Sequence, residues 1–289
     1  MFRLTSLLCL LGAFLYAPAQ TPAQTNDEWV RAVPPFRIIG NIYWVGTYDL
    51  STYLITTPAG NILINTGLAS TVPQIQANVE KLGFKMSDTK ILTATHGHFD
   101  HVAGLAELKR KTGAQVVMSA PDVELLESGG KVDYLFGDRP STNFEPVKVD
   151  RSFQDGEKIS LGGVELTAHH HPGHTKGAMS FTTTVSEGGK SYRVVIANMG
   201  SINPGTVLKG MPKYPGIGAD YAKTFASQKD MQVDVFLASH ASQFGLYKKY
   251  QSGDSYKAGR FVDPQGFRAE VERMEKAYRA QMEREEQGR

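Results

Sequence analysis

The sequence has 289 residues, of which 41% are hydrophobic, enough to bury a core of substantial size. Its 31 basic and 29 acidic residues nearly balance and form no extended basic stripe, which argues against nucleic acid as a partner. The single cysteine, Cys9, lies near the N-terminus, so the rest of the chain can neither form a disulfide nor offer a thiolate to a metal.

The first 19 residues are typical of a secretory signal peptide. Arg3 precedes the apolar run LTSLLCLLGAFLY, and small residues follow, so we place the cleavage after Ala19. The run is shorter than the ~20 residues that a membrane span needs, although a retained membrane anchor is the alternative. We therefore predict a periplasmic protein with a signal peptide over residues 1–19, a single domain over 20–289, and no membrane contact after cleavage.

Strands and helices alternate through the first half of the chain. β-Branched and aromatic runs cut by Gly, Pro or Asn predict strands in RIIGNIYWVGT, STYLITTPAGNILINTG and TKILTATHG. Ser70 or Thr71 is suited to cap a helix that has Pro73 in its first turn and ends at Gly83. A second helix, GLAELKRKTG, ends at Gly113, and AQVVMSA predicts another strand.

The second half repeats this pattern. VELTAHHH, AMSFTTTV, YRVVIANMG and VDVFLASH predict strands, and ADYAKTFASQKDM predicts a helix. Asp263 is suited to cap a final amphipathic helix, whose apolar stripe we expect to pack on a sheet and not on a partner: Phe267, Val271, Met274, Tyr278 and Met282. Two strand-rich halves, each followed by helices, predict two sheets packed face to face with helices outside.

All eight histidines lie in three clusters, each at the end of an apolar strand: His96, His98 and His101; His169, His170, His171 and His174; and His240. One buried histidine is usually an ordinary core residue, but the ends of strands are where a rigid sheet assembles a site from distant segments. Imidazole nitrogens beside the Asp100 carboxylate, without thiolate, indicate Zn²⁺. Because His96 and His98 can reach one ion while Asp100 and His101 leave the turn in another direction, two adjacent ions are the simplest solution.

The segment THGHFDHVAG resembles the H-x-H-x-D-H signature of the metallo-β-lactamase superfamily. Further landmarks in VGTYDLSTYLITTPAGNILINTG, HHHPGHTKGAMSF and LASHASQF extend the resemblance over nearly the whole mature chain. It implies an α/β (α+β) fold, the αββα four-layer sandwich, with a two-zinc site at one edge. By the same resemblance a first zinc would bind His96, His98 and His174, and a second would bind Asp100, His101 and His240.

The segment VVIANMGSINPG bears on the branch of the superfamily. Glyoxalase-like and nuclease branches usually place a bridging aspartate there, and one β-lactamase subclass places a cysteine, whereas this chain has Ser201, a poor zinc ligand. The remaining ligand set resembles class B β-lactamases of the third subclass. Gly97, where that subclass often has alanine, is expected to loosen the turn slightly. Asn65, in place of an aspartate, is expected to weaken or alter the support of the metal-binding loop.

The resemblance implies a secreted zinc hydrolase that opens the β-lactam ring of penicillins, cephalosporins and carbapenems, and so confers antibiotic resistance. A zinc-bound hydroxide would attack the lactam carbonyl, with His96, His98, His174 and Asp100 as the catalytic set. The alternatives are a periplasmic lactonase, another ester or thioester hydrolase of this fold, and a non-catalytic binding protein, which the six filled ligand positions disfavour.

Further expectations concern the substrate and the remaining histidines. Ser201 and Asn203 are predicted to bind the substrate carboxylate, with an ordinary polar turn as the alternative. His169, His170 and His171 are expected to line the cleft or to support the ligands. Along a strand, the first and third of these would share one face and the second would lie on the other. The expected partner is a small β-lactam molecule, and the chain is expected to be a monomer.

Overall fold

The computed structural model describes residues 26–288, so the predicted signal peptide lies outside the described residues. Seven strands form the first sheet: β1 Phe36–Ile39, β2 Ile42–Trp44, β3 Tyr53–Thr57, β4 Gly60–Ile64, β5 Thr89–Thr93, β6 Gln115–Ser119 and β7 Arg151–Phe153. Five form the second: β8 Lys158–Leu161, β9 Val164–His170, β10 Met179–Glu187, β11 Lys190–Ala197 and β12 Val235–Ala238. The helices are α1 Asp27–Val30, α2 Val72–Lys81, α3 Phe99–Val102, α4 Leu105–Thr112, α5 Val123–Glu127, α6 Ile217–Asp230, α7 Leu246–Lys249 and α8 Pro264–Glu286.

The two sheets differ in the order of their strands. The first sheet keeps the strands in sequence order, antiparallel from β1 to β4 and parallel from β4 to β7. The second sheet has the order β12-β11-β10-β9-β8, with β11 and β12 parallel and the other pairs antiparallel. The parallel pairs matter for the site, because the strands that they contain end at one edge of each sheet.

Successive residues of β3 face two different hydrophobic clusters. Tyr53 and Ile55 pack with Phe181 of β10 in the cluster between the sheets. Leu54 points the other way and packs with Leu108 of α4. Since side chains alternate along a strand, this places the second sheet on one face of the first sheet and helices on the other.

The last helix covers the outer side of the second sheet. Phe267 lies edge-on to Phe236 of β12, with ring centroids 5.2 Å apart, and Tyr278 contacts Phe225 of α6 at 5.6 Å. Asp263 caps the helix, because its carboxylate accepts a hydrogen bond of 2.9 Å from the amide of Gly266. The predicted apolar stripe and the αββα sandwich are thereby confirmed. None of the helices within residues 26–288 is both long and apolar enough to span a bilayer.

The predicted cap of α2 is wrong. The helix begins at Val72 with Pro73 in its first turn, as expected, but no side chain accepts a hydrogen bond at its start. A 3-10 turn over Ala69–Thr71 leads into the helix, and the Thr71 hydroxyl donates to the Leu68 carbonyl at 2.8 Å. The Thr71 hydroxyl thus bonds within the preceding turn and does not cap the helix. The short strands β7 and β8 and the one-turn helices α1, α3, α5 and α7 were also not predicted.

Candidate metal centre

The three histidine clusters meet at one place, although they lie on three separate parts of the chain. The first follows β5 and enters α3, the second follows β9, and His240 follows β12. The imidazole rings of His96 and His174 have centroids 4.6 Å apart, and those of His101 and His240 are 4.9 Å apart. His96 and His101 lie 4.3 Å apart and join the two pairs. The structure therefore brings together all six residues that the sequence predicts as ligands.

The first donor group consists of His96, His98 and His174, whose ligand atoms lie within 4.8 Å of one another. His98 Nδ1 and His174 Nε2 are only 3.1 Å apart. His174 Nδ1 donates to the carbonyl of Ser201 at 2.8 Å, and His98 Nε2 lies 3.2 Å from Asp133 Oδ2. The Ser201 carbonyl can only accept, so the proton of His174 lies on Nδ1 and its Nε2 carries a lone pair. The Asp133 carboxylate beside His98 Nε2 favours a proton on that nitrogen and a lone pair on Nδ1.

The second donor group consists of Asp100, His101 and His240. His101 Nε2 lies 3.2 Å from both Asp100 Oδ2 and His240 Nε2, and His240 Nε2 is 3.5 Å from Asp100 Oδ2. His240 Nδ1 donates to Asp49 Oδ2 at 2.9 Å, which leaves its Nε2 as the donor to a ligand. Asp100 and His101 also lie within 4.8 Å of His96, so the two groups are contiguous.

The pKa values of the histidines differ within each donor group. Burial lowers the pKa of His96 well below its usual value, and burial with the nearby His98 lowers that of His174 to about 3. Burial also opposes protonation of His240, but hydrogen bonds and charges from Asp100 and Asp49 raise its pKa to about 9. His96 and His174 are thus neutral donors. Burial opposes protonation of His98 as well, but the nearby Asp133 carboxylate raises its pKa, and burial lowers the pKa of His101.

These donor sets fit metal cations. Lone pairs that face each other at 3.1 Å repel unless a proton or a cation lies between them. Within the described part of the chain, His96 Nε2 is buried and has no hydrogen-bond partner. Three imidazoles without thiolate suit Zn²⁺, and so do two imidazoles with one carboxylate.

Three buried aspartates, none of them predicted from the sequence, support the donor groups. Asp49 holds His240 and also accepts the amide of Ser242 at 3.0 Å, and its pKa falls to about 2 because these bonds outweigh burial. Asp133 holds His98, and Asp122 bonds to the loops around the first group. The position of Asp122 just after β6 was a sequence signal for a role near the site, but the sequence did not identify its partners, which are distant along the chain.

The two departures at positions 65 and 97 can be explained. Asn65 has φ +62°, which asparagine tolerates, and its amide oxygen accepts hydrogen bonds from Thr95 N at 2.9 Å and Thr95 Oγ1 at 3.2 Å. The loop that begins at Thr95 is therefore supported by the neutral amide oxygen of Asn65, where an aspartate would offer a charged carboxylate. A Cβ on Gly97 would lie 2.6 Å from Leu125 Cδ2, so Leu125 fills the space of the missing methyl group, and the slight loosening of the turn stays a prediction.

We predict that Gly97→Ala lowers the free energy of unfolding by about 1–3 kcal/mol, because the added methyl group overpacks the loop against Leu125. Thermal denaturation followed by circular dichroism measures the effect. Gly216→Ala is the matched control, since its Cβ would meet no heavy atom of residues 26–288 within 4 Å. A Gly97→Ala melting temperature equal to that of wild type would contradict the prediction.

The other histidines of the second cluster lie outside both donor groups. The rings of His169 and His171 stack at 6.3 Å, in agreement with the predicted strand alternation. His171 is buried, with Nδ1 2.6 Å from the Ser180 hydroxyl, and His170 Nε2 donates to the carbonyl of Lys176 at 2.8 Å. Their contacts are thus with the polypeptide itself.

Ser201 lies beside the first donor group. Its carbonyl accepts hydrogen bonds from His174 Nδ1 at 2.8 Å and from the Tyr221 hydroxyl at 2.9 Å, and its own hydroxyl is 3.3 Å from His174 Nδ1. Asn203, two residues later, is half-buried. Contact of either side chain with a substrate remains a prediction.

Comparisons with known proteins agree with this fold and site. A family model described as the metallo-beta-lactamase superfamily matches residues 46–186. The crystal structure of the metallo-beta-lactamase GOB-18 from Elizabethkingia meningoseptica is 44% identical, with a TM-score of 0.88 over 92% of this chain and 99% of that chain. The class B3 di-zinc metallo-beta-lactamase LRA-12 from an Alaskan soil metagenome is 42% identical, with a TM-score of 0.87 over 91% and 99%.

Among curated relatives, a hydroxyacylglutathione hydrolase of Rhodopseudomonas palustris (strain HaA2) is 30% identical over 129 residues, 45% of this chain and 41% of that protein. The chain spans about two fifths of the length of the first curated relatives it matches, 41–43%. The chain belongs to the metallo-β-lactamase superfamily. The predicted resemblance to its class B3 branch is confirmed.

Proposed function

We propose that this protein is a zinc-dependent β-lactamase that hydrolyses the amide bond of the β-lactam ring. The observation that carries the proposal is the convergence of six nitrogen and oxygen donors from three strand ends into two contiguous groups. Identity of 44% over nearly the full length of a solved metallo-beta-lactamase supports it.

In this proposal His96, His98 and His174 hold one zinc ion, and Asp100, His101 and His240 hold a second. Bound zinc would polarise the lactam carbonyl and lower the pKa of water toward 7, which makes a protein nucleophile unnecessary. The chain fixes the protonation state of its ligands at named atoms. Asp133 keeps the proton of His98 on Nε2, the Ser201 carbonyl keeps that of His174 on Nδ1, and Asp49 keeps that of His240 on Nδ1.

Other residues act on the water and the substrate. Asp100 Oδ2 faces both imidazoles of the second group, which leaves Oδ1 to accept a hydrogen bond from the attacking water and to orient it. Ser201 and Asn203 would donate hydrogen bonds to the carboxylate beside the lactam nitrogen. Five of the six ligands are buried, with His96 1% and His101 0% exposed, while His240 is half-buried; exclusion of water strengthens these interactions.

A thioester or lactone hydrolase is the second candidate. It is favoured by the hydroxyacylglutathione hydrolase of Rhodopseudomonas palustris and by a chicken acyl-coenzyme A thioesterase that is 24% identical over 189 residues. Against it, the stretch VVIANMGSINPG holds no aspartate that could bridge two metal ions. Identity to these relatives is also lower and covers less of the chain than identity to the solved β-lactamases.

A substrate panel with a chelator separates the candidates. Purified protein should hydrolyse a chromogenic cephalosporin, lose this activity in a zinc chelator, and regain it when zinc is restored. An S-acyl glutathione and an acyl-homoserine lactone are assayed in parallel. Turnover of either of these, with none of the cephalosporin by zinc-loaded protein, would overturn the proposal in favour of the second candidate.

We also propose that the protein is exported, acts in the periplasm as a monomer, and protects its host against β-lactams. An apolar run preceded by Arg3 and followed by small residues supports export. Cell fractionation should find the protein expressed from residues 1–289 in the periplasm after removal of residues 1–19, and deletion of residues 2–19 should retain it in the cytoplasm. Light scattering of the purified protein tests the monomer, and growth on a penicillin tests protection.

A further inference from the structure

Asp122 lies in the turn between β6 and α5 and is 1% exposed. Its carboxylate accepts three hydrogen bonds. Oδ2 accepts the amide of Gly97 at 2.9 Å and the hydroxyl of Thr175 at 2.7 Å, and Oδ1 accepts the amide of Gly177 at 2.8 Å. Among residues 26–288, none of these side-chain hydrogen bonds goes to a member of either donor group.

The three partners belong to the two loops that carry the first donor group. Gly97 separates His96 from His98, and Thr175 directly follows His174. His98 and His174 are 76 positions apart in sequence, yet their facing nitrogens are 3.1 Å apart. One buried carboxylate therefore bonds to Gly97 and Thr175, each directly adjacent to a ligand of the first donor group, and to Gly177, three positions after His174.

Packing around Asp122 leaves the two loops little freedom to separate. A Cβ on Gly177 would lie 2.6 Å from both Asp122 Cγ and Asp122 N, so that loop approaches as closely as a glycine allows. The Ser119 hydroxyl donates to the Gly177 carbonyl at 2.5 Å, and Leu125 packs against Gly97. Ser119, Asp122 and Leu125, in and just after the end of β6, thus contact both the loop of Gly97 and the loop of Gly177.

We propose that Asp122 is a positioning residue that fixes the spacing between the His96–His98 loop and His174, and so sets the affinity of the first donor group for zinc. The inference rests on the proposed function, because it concerns the same metal site. Asp122 forms no hydrogen bond to a zinc ligand, but it holds the two loops that carry these ligands at a fixed spacing.

The chemistry of the partners requires a carboxylate. Two of them are backbone amides, which can only donate, so both oxygens at position 122 must accept. In Asp122→Asn the side-chain NH₂ would face the amide of either Gly97 or Gly177, and a buried donor would lose its partner. The substitution therefore keeps the size of the side chain and removes the connection between the loops.

Zinc binding by the purified full chain tests this without reference to catalysis. Competition with a chromophoric chelator should give two tight equivalents of zinc for wild type. Asp122→Asn should retain one tight equivalent, and the other should weaken by about 10- to 100-fold, the usual effect of losing support for a metal ligand. The matched control is Asp150→Asn, because the Asp150 carboxylate also accepts a backbone amide, that of Val116 in β6 at 2.8 Å. Within residues 26–288 its side-chain hydrogen bonds, to Val116 and Lys109, involve neither loop.

The outcomes separate this inference from the proposed function. If wild type and Asp122→Asn bind both equivalents alike, the role of Asp122 is overturned and the proposed function stands; if wild type binds no tight zinc, both are overturned. Should Asp122→Asn fail to fold by circular dichroism, Thr175→Val removes only one of the three bonds. This variant should weaken one equivalent by about 2- to 10-fold, the usual value of one hydrogen bond, and unchanged affinity would overturn the inference.

Discussion

Asp100→Ala is expected to reduce cephalosporin hydrolysis by more than about 100-fold, because loss of a direct ligand should exceed the 10- to 100-fold effect of losing a residue that supports one. Asp100 Oδ2 lies within 3.5 Å of the facing nitrogens of both His101 and His240, so its removal takes the one negative charge from the second donor group. The variant should also lose an equivalent of zinc. Initial rates and metal content measure the two effects on the same sample.

His170→Ala is the matched control for this experiment. It removes an imidazole from the second histidine cluster, but one whose Nε2 donates to the carbonyl of Lys176 and which lies outside both donor groups. Its rate and zinc content should equal those of wild type. A wild-type rate for Asp100→Ala, or an equal loss for both variants, would show that the second donor group has no special part in hydrolysis.

Removal of zinc is expected to lower the melting temperature by about 10 °C. A ligand present at about 1,000 times its dissociation constant stabilises the folded state by ~4 kcal/mol, and each kcal/mol corresponds to roughly 2–4 °C for a domain of 150–250 residues. The physical reason is the repulsion between His98 Nδ1 and His174 Nε2, which face each other at 3.1 Å and which a bound cation converts into attraction.

Calorimetry of zinc-loaded and chelator-treated protein measures this shift. His98→Ala removes one of the facing nitrogens and is the informative comparison, because part of the stabilisation by zinc should be lost with it. If the chelator leaves the melting temperature of the wild type unchanged, the donor groups do not bind zinc tightly in the folded protein. Equal shifts for wild type and His98→Ala would place the stabilising zinc elsewhere.

Much of the candidate site could be predicted because its signals are local. His96, His98, Asp100 and His101 lie within six positions after a strand, and this spacing made two adjacent metal ions the simplest interpretation. The other two histidine clusters could also be predicted to lie at the ends of strands. The final helix was predictable for a similar reason, since a stripe with helical spacing and a cap at Asp263 are both properties of one continuous segment.

Support for the ligands could not be predicted, because it joins residues that are far apart in sequence. Asp49 and His240 are separated by 191 positions, and the bonds from Asp122 to Gly97 and Gly177 span 25 and 55. An isolated aspartate in a loop gives no sign of which distant donor it will meet. The predicted cap of α2 was wrong for a similar reason at short range, because the Thr71 hydroxyl donates a hydrogen bond to the Leu68 carbonyl in the preceding turn.

The sequence by itself determined the donor types, their grouping at strand ends and the two-sheet architecture, since periodicity and spacing are properties of each segment. Only the tertiary structure decided which nitrogen of each histidine faces the centre. His98 presents Nδ1 and His174 presents Nε2, because Asp133 engages the opposite nitrogen of the one and the Ser201 carbonyl that of the other. Those contacts exist only after two sheets have packed and brought remote loops to one edge, which is why no pattern along the chain records them.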